Sequence, residues 1–251
     1  MTLFFFALGA VVASFLGVVV ARLNTGQGFL SGRSCCDACG ATLRASHLVP
    51  VASYIWHGGR AGCCRTRLSL LSPLSEITLG GLYAGMYIVL GFQMALAFFL
   101  LSLGLLAALV LYDLAHQILP WPLLLPFIAA SAAARLALSP HGEWAYAFLS
   151  AFAAAAVLAL IHVISRGRAM GLADAPLAFA LALLVGPGLV LAGFVFSFWI
   201  GAGIGIILLF MRPAGSRMGV EVPFAPFLAA GFLLAFFTQW NPFAYLAASL
   251  W

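Results

Sequence analysis

Three stretches without a single charged side chain, residues 3–21, 77–112 and 175–211, constrain this chain more than anything else in it. Each of the two longer ones, drawn as one helix, would reach roughly 54 Å at 1.5 Å per residue, against a hydrocarbon core of about 30 Å. They must fold back, so each is read as two spans. Composition agrees, since 65% of the 251 residues are apolar and 7% are charged, where a soluble domain carries about 25% charged residues. A soluble enzyme or binding module is excluded. The first stretch has no basic flank before it and is long enough to span, so it is expected to be a retained anchor rather than a cleaved signal peptide.

The pattern predicts an all-α, polytopic membrane bundle of about eight helices, near 3–22, 72–90, 94–112, 119–138, 144–165, 174–187, 189–211 and 224–240. The sixth is short. Gly91-Phe92-Gln93 and Gly186-Pro187-Gly188 are turn chemistry inside apolar sequence and supply the two fold-back points. The tail 243–251 is expected to be a short interfacial helix, bounded by Trp240 and Trp251.

The net charge of +5 comes from 11 arginines set against 6 acids, with no lysine. Ten of the arginines fall in or beside the loop 23–71, the loop after the fifth span and the loop after the seventh. That face is therefore expected to be cytoplasmic, with both termini outside. Arg135 is the exception, near the outer end of the fourth span, and Glu143 is its expected partner. With no basic and aromatic residues interleaved on a polar surface, no nucleic-acid partner is expected. The lipid bilayer is.

Two acids stand out. Asp113 ends the third span in Leu111-Tyr112-Asp113, and Asp174 opens the sixth in Gly171-Leu172-Ala173-Asp174. An acid beside hydrocarbon is costly and marks a functional site by default. Two at one depth can share a proton, one carboxylate activating water while the acid protonates a carbonyl oxygen. Gly171 would allow close approach of backbone or substrate. Capping explains the same residues differently: Asp174 precedes Ala175-Pro176 and suits a helix start. The spacing alone leaves both readings open. A third use of two membrane acids is carriage of protons or cations by a non-enzymatic membrane protein or small transporter. That use favours acids near the midplane.

Further motifs follow in order: Ser14-Phe15-Leu16-Gly17 through Arg22-Leu23; Cys36-Asp37-Ala38-Cys39-Gly40; Pro50 with Ser53-Tyr54 and Gly59-Arg60; Ser69, Pro73-Leu74 and Glu76; Asp113 with Leu119-Pro120; Gly171 with Asp174; and Pro223-Phe224-Ala225-Pro226-Phe227. In this series the chain resembles the bacterial prepilin peptidases, intramembrane aspartic proteases of the GxGD type. The resemblance implies cleavage of leaders from type IV prepilins or type II secretion pseudopilins in the bacterial inner membrane. It makes Asp113 and Asp174 the catalytic dyad, supported by Gly171. It also implies methylation of the new N-terminus from S-adenosylmethionine. Two departures are visible: Ala173 stands where the family has the second glycine of its motif, and Trp121 follows Leu119-Pro120 where an acid is usual.

The resemblance also implies two CxxC pairs suited to structural zinc in a cytoplasmic loop. Cys36 and Cys39 form the first pair. The second falls on Ala61 and Cys64, so one ligand position is alanine. Zinc, if held, is expected on Cys36, Cys39 and Cys64, with the fourth ligand drawn from Cys63, a histidine or water. Cys35, His47 and His57 are further spares, and the alternative is a packed loop of free thiols. His162 is expected to be an interhelical hydrogen-bonding residue, His116 either to tune the dyad or to face headgroups, and Glu76 to answer the family pattern or to pair with a loop arginine. The division expected is 1–22 as first span, 23–71 as cysteine loop and 72–251 as peptidase domain.

Overall fold

The structure, a computed structural model, describes residues 1–23, 36, 38–42, 49–139, 143–168, 170–211 and 222–241. Its helices run α1 Thr2–Arg22, α2 Ala52–Trp56, α3 Leu71–Leu90, α4 Met94–His116, α5 Trp121–Leu138, α6 Trp144–Ser165, α7 Asp174–Val185, α8 Val190–Met211 and α9 Ala225–Thr238, with a 3₁₀ turn Pro187–Leu189 before α8. The all-helical membrane bundle expected from the sequence is what forms. The expected tail helix lies outside the described residues.

The span count changes. Among the described residues, six helices are long and apolar enough to cross a membrane: α1, α3, α4, α5, α6, and α8 with its preceding turn. The 12 residues of α7 and the 14 of α9 reach only about 18 and 21 Å, short of the roughly 30 Å hydrocarbon core. Both are apolar, as expected, but shorter than the other six. Protein rather than lipid surrounds α7, which packs on α5, α6 and α9 and buries ten of its twelve residues. A helix apolar all round belongs in such a core.

A short helix ending inside a bundle leaves its last carbonyls without intrahelical donors. Arg135 of α5 supplies them: its Nε–H donates to Leu183 O at 2.7 Å and its Nη2–H to Leu184 O at 3.0 Å. The expected Arg135–Glu143 pairing is thus replaced by a cap on the negative end of α7, with Glu143 acting on the guanidinium through its charge. Gly186 turns the chain away at φ +91°, and a Cβ there would sit 2.7 Å from Arg135 Nη2.

Elsewhere the helices meet through small residues. A Cβ on Gly9 would lie 2.6 Å from Leu79 O, and one on Gly80 would lie 2.8 Å from Phe6 O, so α1 and α3 cross with their backbones almost in contact. Tyr83 of α3 donates its hydroxyl to Leu100 O of α4 at 2.7 Å, as a polar group in an apolar bundle must. The two fold-back points fall where glycine and proline put them, at Gly91 (φ +67°) and Gly186.

Candidate active site

Helix α4 runs a turn further than the sequence suggested, to His116, and leaves the helix at Gln117 in the left-handed region. Asp113 therefore sits inside the last turn, not at its end, and only 6% of it is exposed. Its Oδ2 accepts the backbone N–H of Ala225 at 3.2 Å, from the start of α9. The Pro223–Phe227 segment explains that contact. Pro226, at the second helical position, has no N–H, and Phe224 gives α9 no side-chain cap, so the Asp113 carboxylate answers the positive end of α9 from a different helix.

Asp174 is the first residue of α7 and is 8% exposed. It does not cap by its side chain in the usual forward sense. Its Oδ2 reaches back and accepts the N–H of Gly171 at 3.1 Å. Toward the aspartate, Gly171 contributes that N–H rather than space, because a Cβ there would meet Asp174 Oδ2 at 3.5 Å, an ordinary contact. Ala173 is the residue preceding α7, half-buried against the core, so its methyl group is accommodated.

The structure brings the two carboxyl groups within electrostatic reach of one another. Leu119, Met170 and Ala225, each from one of the three segments that frame them, belong to one apolar cluster. His162 of α6 pairs its Nδ1 with Met170 O at 2.8 Å, fixing the loop that carries Gly171. It is a hydrogen-bonding residue as expected, but its partner is that loop and not another helix. His116 stays on the surface against the Tyr112 ring, centroids 4.4 Å apart, and Trp121 is 56% exposed. Glu76 accepts the N–H of Val51 at 2.7 Å and Ser72 Oγ–H at 3.5 Å, binding the loop to α3.

In the loop, Cys36, Cys39, Cys63 and Cys64 place their sulfurs within 4.8 Å of one another. Adjacent Cys63 and Cys64 both reach the cluster: Cys36 Sγ lies 3.7 Å from Cys64 Sγ, and Cys39 Sγ lies 3.4 Å from Cys63 Sγ. Two tight turns aim them, one closed by Gly40 N–H to Cys36 O and the other by Arg65 N–H to Ala61 O, both 2.8 Å. Tetrahedral zinc with Zn–S of about 2.3 Å needs sulfurs about 3.8 Å apart, so the donor set fits the ion. The Thr66 hydroxyl, then its backbone, pulls the Cys64 thiol down to about 6. Hydrogen bonding to Cys39 and then to Cys36 pushes Cys63 up to about 12. Among the described residues, the cluster is made of these four thiols; Cys35 and His47 lie outside them.

A buried acid near the end of α4, held by the N–H of Ala225 from α9, and a buried acid opening α7, held by the N–H of Gly171 just before it, together with a four-thiol loop, define a multi-pass helical membrane protein with a carboxyl-pair site. Residues 7–90 match the family model described as bacterial peptidase A24 N-terminal domain, and residues 99–206 match the type IV leader peptidase family. The prepilin leader peptidase/N-methyltransferase of Bacillus subtilis (strain 168) is 30% identical over 231 residues, covering 92% of each chain. That of Burkholderia pseudomallei (strain 1026b) is 33% identical, covering 91% of this chain and 82% of its own. That of Pseudomonas aeruginosa is 29% identical, covering 88% and 85%. No solved structure matches. The chain belongs to the type IV leader peptidase family.

Proposed function

We propose that the protein is a membrane-embedded aspartic endopeptidase that removes the leader from type IV prepilins or type II secretion pseudopilins, and that it also methylates the N-terminus so released. Asp113 and Asp174 are its catalytic dyad. The observation that carries this is the pair of buried carboxyl groups on α4 and α7, each anchored through Oδ2 by a backbone N–H. Their Oδ1 atoms then serve the chemistry. With one proton shared between them, the ionised carboxylate takes a proton from water as its oxygen attacks the scissile carbonyl carbon. The protonated partner gives its proton to the carbonyl oxygen. The tetrahedral species collapses as the C–N bond breaks: the carboxyl that took the proton from water passes it to the leaving amine, and the hydroxyl proton returns to the partner carboxylate.

Both acids lie at helix ends, one in the final turn of α4 and the other opening α7. That suits a cleavage site at the membrane boundary and disfavours the transporter reading, which wants acids near the midplane. The arginine-rich loops support a reading in which this boundary, and the cysteine loop, face the cytoplasm at the bacterial inner membrane. Zinc held by Cys36, Cys39, Cys63 and Cys64 would staple the loop between α1 and α3, a structural role that asks nothing of the dyad. S-adenosylmethionine would supply the methyl group for the second activity. The division into first span, cysteine loop 23–71 and peptidase domain 72–251 follows this assignment of roles.

Incubating the purified protein with a prepilin and weighing the product tests the reading. The expected result is a mature chain lighter by the leader and, with methyl donor present, heavier by about 14 Da for the added CH₂. An intact prepilin after prolonged incubation contradicts it.

A further inference from the structure

The peptide bond between Met170 and Gly171 is held at both of its polar atoms. On the carbonyl side, His162 Nδ1 lies 2.8 Å from Met170 O. A carbonyl oxygen only accepts, so Nδ1 carries the proton and donates it. On the amide side, the Gly171 N–H donates to Asp174 Oδ2 at 3.1 Å. One planar peptide group therefore joins the imidazole of α6 to the carboxyl group that opens α7, and it cannot rotate toward one partner without leaving the other. Hydrogen bonds in such a chain polarise one another. Charge drawn onto the carbonyl oxygen by the imidazole leaves the N–H a stronger donor to the carboxylate.

The connection between α6 and α7 builds this grip. After Ser165, Arg166 (φ +53°) and Gly167 (φ +75°) reverse the chain, and the Gly167 N–H donates to His162 O at 2.8 Å. The reversal lays Gly167 against the imidazole, where a Cβ would sit 3.2 Å from Cε1. Met170, 8% exposed, is seated in the apolar cluster that also holds Ala175 and Leu177 of α7. The Asp174 N–H returns to Gly171 O at 3.3 Å, which closes the turn between the peptide and the carboxyl group.

We propose that His162 is a positioning residue for the peptidase reaction: through the Met170–Gly171 peptide it fixes the Asp174 oxygen that is tied down and so aims the other. The proposal rests on the reading of Asp113 and Asp174 as the dyad, and adds the residue that aims one of them. His162 acts on Asp174 only through that peptide. Its loss slows the chemical step and leaves substrate binding where it was, because a misaimed carboxylate costs rate even when the substrate still docks.

The donor and the bulk of the ring can be removed separately. His162→Phe keeps a ring against Gly167 and loses the donor. His162→Asn loses the ring but places an amide N–H close to where Nδ1 stood. Prepilin cleavage by the full chain in detergent should show kcat lower by about tenfold or more in His162→Phe, with KM within about twofold of the wild type. His162→Asn should recover most of the lost rate. Should His162→Phe not fold, His162→Gln takes its place under the same expectations, since its amide lies one bond too far out. A second reading follows the peptide itself. Methionine labelled with ¹³C at the carbonyl and glycine labelled with ¹⁵N give a joint signal only from Met-Gly bonds, of which the chain has Met170–Gly171 and Met218–Gly219. In a Met218→Leu background the remaining signal should move in His162→Phe, return toward its original place in His162→Asn, and move in Asp174→Asn. Wild-type kcat in the donorless variant, an Asn variant as slow as the donorless one, a raised KM with kcat unchanged, or a Gly171 signal indifferent to position 162 each overturns the proposal. Asp174→Asn, assayed beside them, separates the cases: cleavage at the wild-type rate sinks the dyad reading, while its inactivity alongside a fully active His162→Phe sinks this inference alone.

Discussion

The four loop thiols hold their protons with unequal strength, because Thr66 stabilises the Cys64 thiolate while Cys63 sits among sulfurs that hydrogen-bond to it. With Cys64 at about 6 and Cys63 at about 12, metal-stripped protein at neutral pH carries a thiolate at position 64 and a protonated thiol at 63. A lowered thiol value means that reactivity is present above it and fades as pH falls through it. Iodoacetamide, followed by peptide mass analysis, should therefore modify Cys64 first at pH 7, with a rate that drops below about pH 6. Equal rates at the two positions, or fastest reaction at Cys63, would contradict the geometry. Zinc should protect both, and Cys63→Ser should lose metal to a chelator as readily as Cys39→Ser does. The sequence made the two aspartates and three of these cysteines legible, because acids and thiols are rare in such an apolar chain. Cys63 was legible only as a spare, since neighbours in sequence usually diverge in direction. The anchors of the dyad were not legible at all: the N–H groups of Gly171 and Ala225 belong to the backbone, and a backbone donor leaves no mark in the residue type that carries it. Pro226, which leaves Ala225 to donate, was the one available signal.

At the scale of elements, α7 is the piece on which the site depends, because Asp174 stands at one end and the Arg135 cap at the other. Removing the guanidinium strips charge-assisted hydrogen bonds from two carbonyls of a buried helix end, each worth about 1.5–3 kcal/mol. Arg135→Met should thus lower the unfolding midpoint measured by scanning fluorimetry in detergent, at a cost on the order of 3 kcal/mol, and Arg135→Lys should recover part of the loss. A midpoint unchanged in Arg135→Met would show the cap to be idle. Helix positions were legible wherever glycine and proline punctuate the apolar runs, and α6 appears with its expected bounds. What hydropathy could not convey is what covers each helix. Leucine and alanine read alike against lipid and against protein, so α7 and α9 read as full-length spans although both are shorter than the other six. The lone arginine of α5 invited an acidic partner for the same reason, while the acceptors it reaches are carbonyls. The one-turn α2 is too short to leave any periodic trace.

Across the whole molecule, the proposed orientation rests on charge asymmetry, and the proposed boundary position of the dyad on the helix ends that carry it. If the arginine-bearing loops are cytoplasmic, a membrane-impermeant maleimide applied to intact cells should leave Cys39, Cys63 and Cys64 unmodified, and should label them once the membrane is opened in the presence of a zinc chelator. Labelling in intact cells would put the loop, and the dyad with it, on the opposite face. The central claim, however, is that two carboxyl groups act as one catalytic unit, and kinetics of single and double amide variants test it most directly. Asn keeps the size of Asp and an oxygen for the N–H of Ala225 or Gly171, but it cannot exchange the proton the reaction needs. Initial rates of prepilin cleavage should fall by at least about a hundredfold in Asp113→Asn and in Asp174→Asn. The double variant should be no slower than either single one, because groups that work as a unit lose their effect together. Near wild-type cleavage by either single variant, with the protein still folded, would contradict the account.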